Sequence, residues 1–269
     1  MPELPEVETI RRTLARCLPG KKIEDVEVRL PKLVRPDVAT FVENARGRVF
    51  GEPQRKGKVL ILPLGESSLL VHFRLTGQLV FLSPESSEPA YTHLVFALNG
   101  ARLAYADLRQ FGWLEIVRNE DLAEHPSLVS LGPEPFDLEA EEFYVMLTSR
   151  RRRLKALLLD QQFLAGLGNI YVDESLFRAR LHPEREAATL SFEEARRLLR
   201  VVQDVLREAI ATGGSSVRNY VDGEGREGRF QERHLVYQHR ERPCPRCKTP
   251  IVYKQVAGRG TYFCPRCQR

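Results

Sequence analysis

The sequence predicts an α+β protein: an N-terminal antiparallel β-sandwich flanked by helices, then a helix-rich domain carrying a C-terminal zinc-finger hairpin. Three observations lead there. Apolar residues alternate with a period of two in short runs up to about Val117, separated by turn residues. From Glu139 the period lengthens to that of helices. Near the C-terminus stand Cys244-x2-Cys247 and Cys264-x2-Cys267, separated by residues 248–263, a spacing that reads as a zinc site.

The elements follow in order. Leu4, Val7, Ile10, Leu14 and Leu18 share one helical face, stopped by Pro19-Gly20. Ile23, Val26, Val28 and Leu30 read as a strand; Val38, Phe41, Val42 and Ala45 suggest a second helix after Pro36. Strands are expected over 49–52, 59–64, 69–73, 78–82, 93–98, 102–106 and 113–117, with Asn99-Gly100 as a tight hairpin turn. This first domain spans 1–118. Residues 119–138, polar and bearing Pro126, Pro133 and Pro135, read as a linker. The helical domain, 139–230, has helices over 139–149, 154–162, 169–178 and 192–212. Ser191 and Glu194 form a capping box for the last of them, and Gly213-Gly214 stops it. Its closing stretch, 215–230, is rich in glycine and charge and predicts a mobile loop. The zinc hairpin fills 231–269.

Composition narrows the function. No run approaches the eighteen apolar residues of a membrane span, and the acidic, amphipathic N-terminus is no signal peptide, so a cytoplasmic protein is expected. The formal charge is +5. From Gly213 onward 12 Lys/Arg face 5 Asp/Glu, a net of +7 that leaves −2 for the rest. Four zinc-bound thiolates would lower the tail to +5 and leave it basic, which suits a polyanionic partner. Without secretion signals a disulfide framework is disfavoured. Four thiolates leave no open coordination position, so the zinc is structural and catalysis lies elsewhere. The fifth cysteine, Cys17, reads as a packing residue on an apolar helix face.

The first residues carry the chemistry. Met1 precedes a small residue; its removal leaves Pro2 as a free secondary amine, able to attack an aldehyde-like carbon and form an iminium. An α-amino group titrates at about 7.7–8.0, so far more of it is neutral at pH 7 than of a lysine. A following helix disfavours its protonated form, and Glu3 can move protons at the same centre. Lys58 closes the basic turn Arg55-Lys56-Gly57-Lys58. Arg74 and Leu75 follow a strand, and Arg109 and Phe111 sit two apart on another turn. There an arginine can hydrogen-bond a base edge while a ring wedges between base pairs. Arg150–Arg153 and Lys155 form a basic run. Gly166-x-Gly168-Asn169 opens a helix whose amides suit phosphate, and Arg259 sits near the tip of the zinc hairpin.

These residues together name a family. Pro2-Glu3-Leu4-Pro5-Glu6-Val7-Glu8-Thr9, Lys58, Asp107-x-Arg109-x-Phe111-Gly112, Lys155-x4-Asp160-Gln161, Gly166-x-Gly168-Asn169-Ile170-Tyr171 and the four-cysteine site around Gly258-Arg259-Gly260-Thr261 appear in one order. The chain thereby resembles, nearly end to end, the bacterial formamidopyrimidine-DNA glycosylases that repair 8-oxoguanine. The resemblance implies a β-sandwich domain, then a helix–two-turn–helix domain with a zinc finger, with duplex DNA containing oxidised purines between them. It implies one structural Zn2+ on Cys244, Cys247, Cys264 and Cys267, and a monomer with no membrane partner. It implies a flipped-out nucleotide, attack of Pro2 on C1′, proton movement by Glu3, and β,δ-elimination of the strand. Lys58 and Arg259 join the catalytic set. His93, Arg74, Leu75, Arg109, Phe111, Lys155, Asn169 and Arg259 become DNA contacts: Arg109 faces the unpaired cytosine, Phe111 wedges beside it, and Asn169 and Arg259 grip phosphates. The 215–230 loop closes over the flipped base.

Two departures stand out. Leu75 occupies a position where family members usually carry Met, and Gln110 one where Lys or Arg is common. The endonuclease-VIII type, which prefers oxidised pyrimidines, typically begins Pro-Glu-Gly-Pro-Glu; Leu4 with Arg109 and Phe111 favours the purine enzyme. A non-catalytic, zinc-containing lesion-binding protein would share the basic tail, but has no need of Pro2, Glu3 and Lys58.

Overall fold

The computed structural model describes residues 2–269. Helix α1 (Leu4–Leu14) buries Leu4, Val7, Ile10 and Leu14 completely. It ends a turn before Leu18, so Cys17 lies past the helix, half-buried against the same core. Strand β1 (Ile23–Val28), the short β2 (Val34–Arg35) and α2 (Val38–Ala45) follow; Asp37 caps α2, its Oδ1 accepting the Thr40 N–H at 2.9 Å.

Strands β3 (Gln54–Lys56), β4 (Val59–Pro63), β5 (Ser67–His72), β6 (Gly77–Leu82), β7 (Thr92–Leu98), β8 (Ala101–Asp107) and β9 (Trp113–Arg118) complete two sheets. One runs β1-β7-β8-β6 and the other β2-β9-β5-β4-β3. Leu79, Leu94, Phe96 and Leu103 from the first join Leu60, Leu62, Leu69, Val71 and Leu114 from the second, with the apolar stripe of α1, in one core. Each such side chain, fully buried, contributes about 1.5–3 kcal/mol. The strand expected over 49–52 reduces to a single bridge between Lys22 and Val49. Pro53 has no N–H to give a ladder, so pairing resumes only at Gln54.

The chain divides into two compact units: Met1–Val129 with Ile210–Gln231, and Ser130–Ala209 with Glu232–Arg269. The boundary after Val129 falls inside the proline-bearing stretch, which is partly ordered as a 3-10 turn over Asn119–Glu124 and helix α3 (Pro126–Val129). Residues 215–230 differ from the expectation of a mobile loop on the helical domain, because their contacts lie in the first unit. Tyr220 is buried in its core, Val221 packs on Val80, Leu82 and Ala104, and the Gly223 N–H donates to Thr13 Oγ1 at 2.9 Å.

The second unit holds α4 (Ala140–Thr148), α5 (Leu154–Leu158), α6 (Asn169–Ala179), most of α7 (Phe192–Ala211) and the hairpin β10 (Val252–Val256)–β11 (Arg259–Phe263). The capping box before α7 forms as expected: the Ser191 N–H donates to Glu194 at 3.0 Å and the Glu194 N–H to Ser191 Oγ at 3.3 Å.

Candidate functional site

At the start of α1, Pro2 and Glu3 are both buried, and Glu3 is the residue that caps the helix. Met1, which the sequence leads one to expect removed, lies outside the described residues. The Glu3 N–H donates to Glu6 Oε2 at 2.8 Å, as in the returning half of a capping box. Glu6 Oε1 accepts the Ser215 N–H at 2.8 Å, and the Tyr220 hydroxyl donates to the Glu6 carbonyl at 3.3 Å. Glu6 thus ties the first turn of α1 to the 215–220 segment. Gly214 permits the approach: its φ is +82°, and a Cβ there would lie 2.9 Å from Glu6 Oε1.

Lys58 occupies the β3–β4 turn and is largely buried. His72, on β5 opposite Val59, is kept neutral. Burial first, then the charges of Arg74 and Lys58, push it down to about 4. Its Nδ1 accepts the Arg74 N–H at 3.1 Å, so its proton sits on Nε2.

Asp107 organises the turn that carries Arg109 and Phe111. Its Oδ1 accepts the Thr76 hydroxyl at 2.5 Å and the Arg109 N–H at 3.2 Å; its Oδ2 accepts the N–H groups of Phe111 at 3.0 Å and Gly112 at 2.8 Å. Thr76 Oγ1 also accepts the Arg109 N–H at 3.0 Å, which joins the turn of Arg74 and Leu75 to that of Arg109 and Phe111. On this frame Phe111 stands 54% exposed with the Arg109 guanidinium 5.0 Å from its ring centroid. An aromatic so exposed on a rigid turn is poised to insert into something. Gly112 is required sterically: a Cβ there would fall 1.8 Å from the Tyr105 hydroxyl. His93 Nε2 lies 3.1 Å from the Asp107 carbonyl, half-buried behind the turn.

In the second unit Lys155 is completely buried. Its ammonium donates to Asp173 Oδ1 at 2.7 Å and to the Gly260 carbonyl at 2.9 Å, so it grips the zinc hairpin from within instead of facing a DNA phosphate. Asn169, first residue of α6, also donates to the Gly260 carbonyl, at 2.8 Å. Asp173 Oδ2 accepts the Tyr262 N–H at 3.0 Å. Burial pushes the Asp173 carboxyl up, and Lys155 pulls it back. Arg259 is left exposed at the start of β11, beside a turn with positive φ at Ala257 and Gly258. The sequence reading missed Asp173 and Glu174. Glu174, fully buried, accepts the N–H groups of Leu235, Val236 and Tyr237 at 2.9–3.0 Å. Two adjacent carboxylates between Ile170–Val172 and Leu176–Phe177 of α6 were the available signal.

The four cysteine sulfurs lie within 4.8 Å of one another. The Sγ separations are 3.9 Å for Cys244–Cys267 and 3.5 Å for Cys247–Cys264. A tetrahedral zinc with bonds of about 2.3 Å needs sulfur edges of about 3.8 Å. The donor set therefore fits one structural zinc, with Phe177, Val236 and Ile251 packed around it.

Comparison with known proteins agrees with this geometry in each part of the chain. Residues 1–114 match the formamidopyrimidine-DNA glycosylase N-terminal domain, 131–221 the formamidopyrimidine-DNA glycosylase H2TH domain, and 242–269 the zinc finger found in FPG and IleRS. A formamidopyrimidine-DNA glycosylase of Heliobacterium modesticaldum is 50% identical over 277 residues, covering both chains completely. One from Pelotomaculum thermopropionicum is 46% identical over 274 residues, covering all of this chain and 99% of the relative. Among solved structures, a point mutant of Lactococcus lactis FPG bound to Fapy-dG-containing DNA superposes with a TM-score of 0.94 at 35% identity over the whole of both chains. MutM in complex with DNA containing carbocyclic 8-oxo-G gives 0.92 at 35%, also over both chains completely. With three successive domain matches and relatives aligned from end to end, the chain belongs to the formamidopyrimidine-DNA glycosylase family.

Proposed function

We infer that the protein removes oxidised purines, 8-oxoguanine and formamidopyrimidines, from duplex DNA and then cuts the strand at the abasic site. The observation that carries this is the full-length match to formamidopyrimidine-DNA glycosylases at up to 50% identity among the relatives compared.

In this reading the Pro2 amine attacks C1′ of the flipped nucleotide. The C1′–N bond to the damaged base breaks, the base taking up a proton as the Pro2 nitrogen loses one. The C1′–O4′ bond then opens, O4′ taking a proton from Glu3, and leaves the Pro2 nitrogen joined to C1′ as an iminium. Glu3, buried at the helix start, moves protons on the opened sugar, and successive β- and δ-elimination expel the two flanking phosphates. Lys58 contacts phosphate near the lesion. Arg109 and Phe111 enter the vacated stack, with Arg74, Leu75 and His93 beside them. Asn169 and Arg259 hold phosphates, while Lys155 acts through the hairpin it grips. The zinc supplies shape only. We place the protein in the bacterial cytoplasm, working as a monomer on nucleoid DNA. No helix among the described residues is long and apolar enough to cross a membrane.

Incubation with an 8-oxoguanine duplex should nick the damaged strand and leave phosphate at both ends of the gap. A protein that only recognised lesions would retard the duplex without cutting it, and that outcome would reject the enzyme reading. Affinity should also fall by about an order of magnitude or more from low to physiological salt, as counterions released by phosphate contacts demand. A flat salt profile would remove the phosphate roles of Lys58, Asn169 and Arg259.

A further inference from the structure

We propose that Glu8 and Arg55 are positioning residues for Lys58, forming a strut from α1 to the tip of the β3–β4 hairpin. This rests on the reading of Lys58 as part of the reaction machinery.

Glu8 lies on α1, the helix that Pro2 and Glu3 open, and is nearly buried. Its Oε1 accepts Arg11 Nη2 at 2.9 Å and Arg12 Nε at 2.7 Å; its Oε2 accepts Arg11 Nε at 3.0 Å and Arg55 Nε at 3.2 Å. Burial opposes its charge, but the hydrogen bonds from Arg11 and Arg12 and the charges of Arg11 and Arg55 hold it at about 2. The Arg55 side chain, 10% exposed, then donates from Nη1 to the Gly57 carbonyl at 2.9 Å. One guanidinium therefore joins the helix to the residue directly before Lys58.

The Gly57 carbonyl is a sensitive place to hold. Lys56 pairs with Val59, so Gly57 and Lys58 form a two-residue hairpin turn. Positive φ falls on Gly57, at +55°, and not on Lys58, the pattern of a type II′ turn. Types I′ and II′ differ by rotation of the central peptide, whose carbonyl belongs to Gly57. Were that peptide to rotate, Lys58 would need positive φ, which a side chain disfavours, and its Cα–Cβ bond would point elsewhere. The Arg55 hydrogen bond fixes one orientation. An arginine suits the task because its planar fork serves Glu8 and the carbonyl together, which a lysine ammonium does less well.

The test is a double-mutant cycle in the full-length, zinc-loaded protein. It reads the single-turnover incision rate on an 8-oxoguanine duplex, with DNA affinity measured alongside. Lys58→Ala should slow incision strongly. Arg55→Met should slow it by about tenfold while affinity changes little, and adding it to Lys58→Ala should cost nothing further. Glu8→Gln should give a smaller loss in the same direction; its cycle with Lys58→Ala replaces the first if Arg55→Met fails to fold. Losses that multiply in the double variant would overturn the strut, as would an Arg55→Met rate equal to wild type beside a slow Lys58→Ala. If Lys58→Ala itself incises normally, the role of Lys58 falls and the strut with it.

Discussion

Borohydride added to the protein and an 8-oxoguanine duplex is expected to join the damaged strand covalently to the chain, and the Pro2→Gly, Glu3→Gln double variant to show little or no such adduct. Reduction captures an iminium only when a neutral amine has attacked the sugar. An α-amino group near 7.7–8.0 leaves on the order of a tenth of molecules neutral at pH 7. The first turn of α1, beginning at Leu4, disfavours protonation two residues away. Glu3, 2% exposed, is held at that turn by the Glu6 contact to its own N–H. Glu3→Gln alone should slow turnover by about 10²–10⁴-fold, the usual share of a positioned proton carrier. An undiminished adduct in the double variant would contradict this, and so would full excision by protein that still carries Met1.

Zinc removal should be the second large effect, and it should act on DNA binding rather than on the β-sandwich. Chelation, or Cys264→Ser, releases the cysteine corner around which Phe177, Val236 and Ile251 pack. The hairpin then leaves Lys155 and Asp173 as a buried pair without the Gly260 carbonyl and Tyr262 N–H that complete their bonding. Restoring those hydrogen bonds to charged groups on DNA lowers affinity by about 3 kcal/mol, roughly a hundredfold. Competition binding on a lesion duplex, with and without restored zinc, measures it. Unchanged affinity in zinc-free protein would mean that Arg259 needs no hairpin to present it.

Much of this was legible in sequence because the signals were local. The period-two runs found most strands, Ser191 and Glu194 the cap of α7, and the paired cysteines the metal. What escaped was long-range. Asp107 reads as one polar residue in a motif, yet its carboxylate accepts bonds from Thr76 and from three backbone amides of its own turn. Lys155 reads as one more cation of a basic run, and only the fold reveals Asp173 beneath it. Residues 215–230 look mobile by composition, since glycine and charge dominate, but Tyr220 and Val221 are anchors whose pockets come from distant strands.

The path of the chain through its two units has a consequence for inheritance. The first unit is assembled from two stretches of gene, with the whole helical segment up to Ala209 lying between them. A product stopping at Val129 would keep both sheets but lose Tyr220 from their interior and the Ser215 amide that Glu6 accepts. The end of the chain that carries Pro2 therefore cannot be shuffled onto another partner as a self-sufficient module. Its integrity is written into sequence some eighty residues downstream of its apparent boundary.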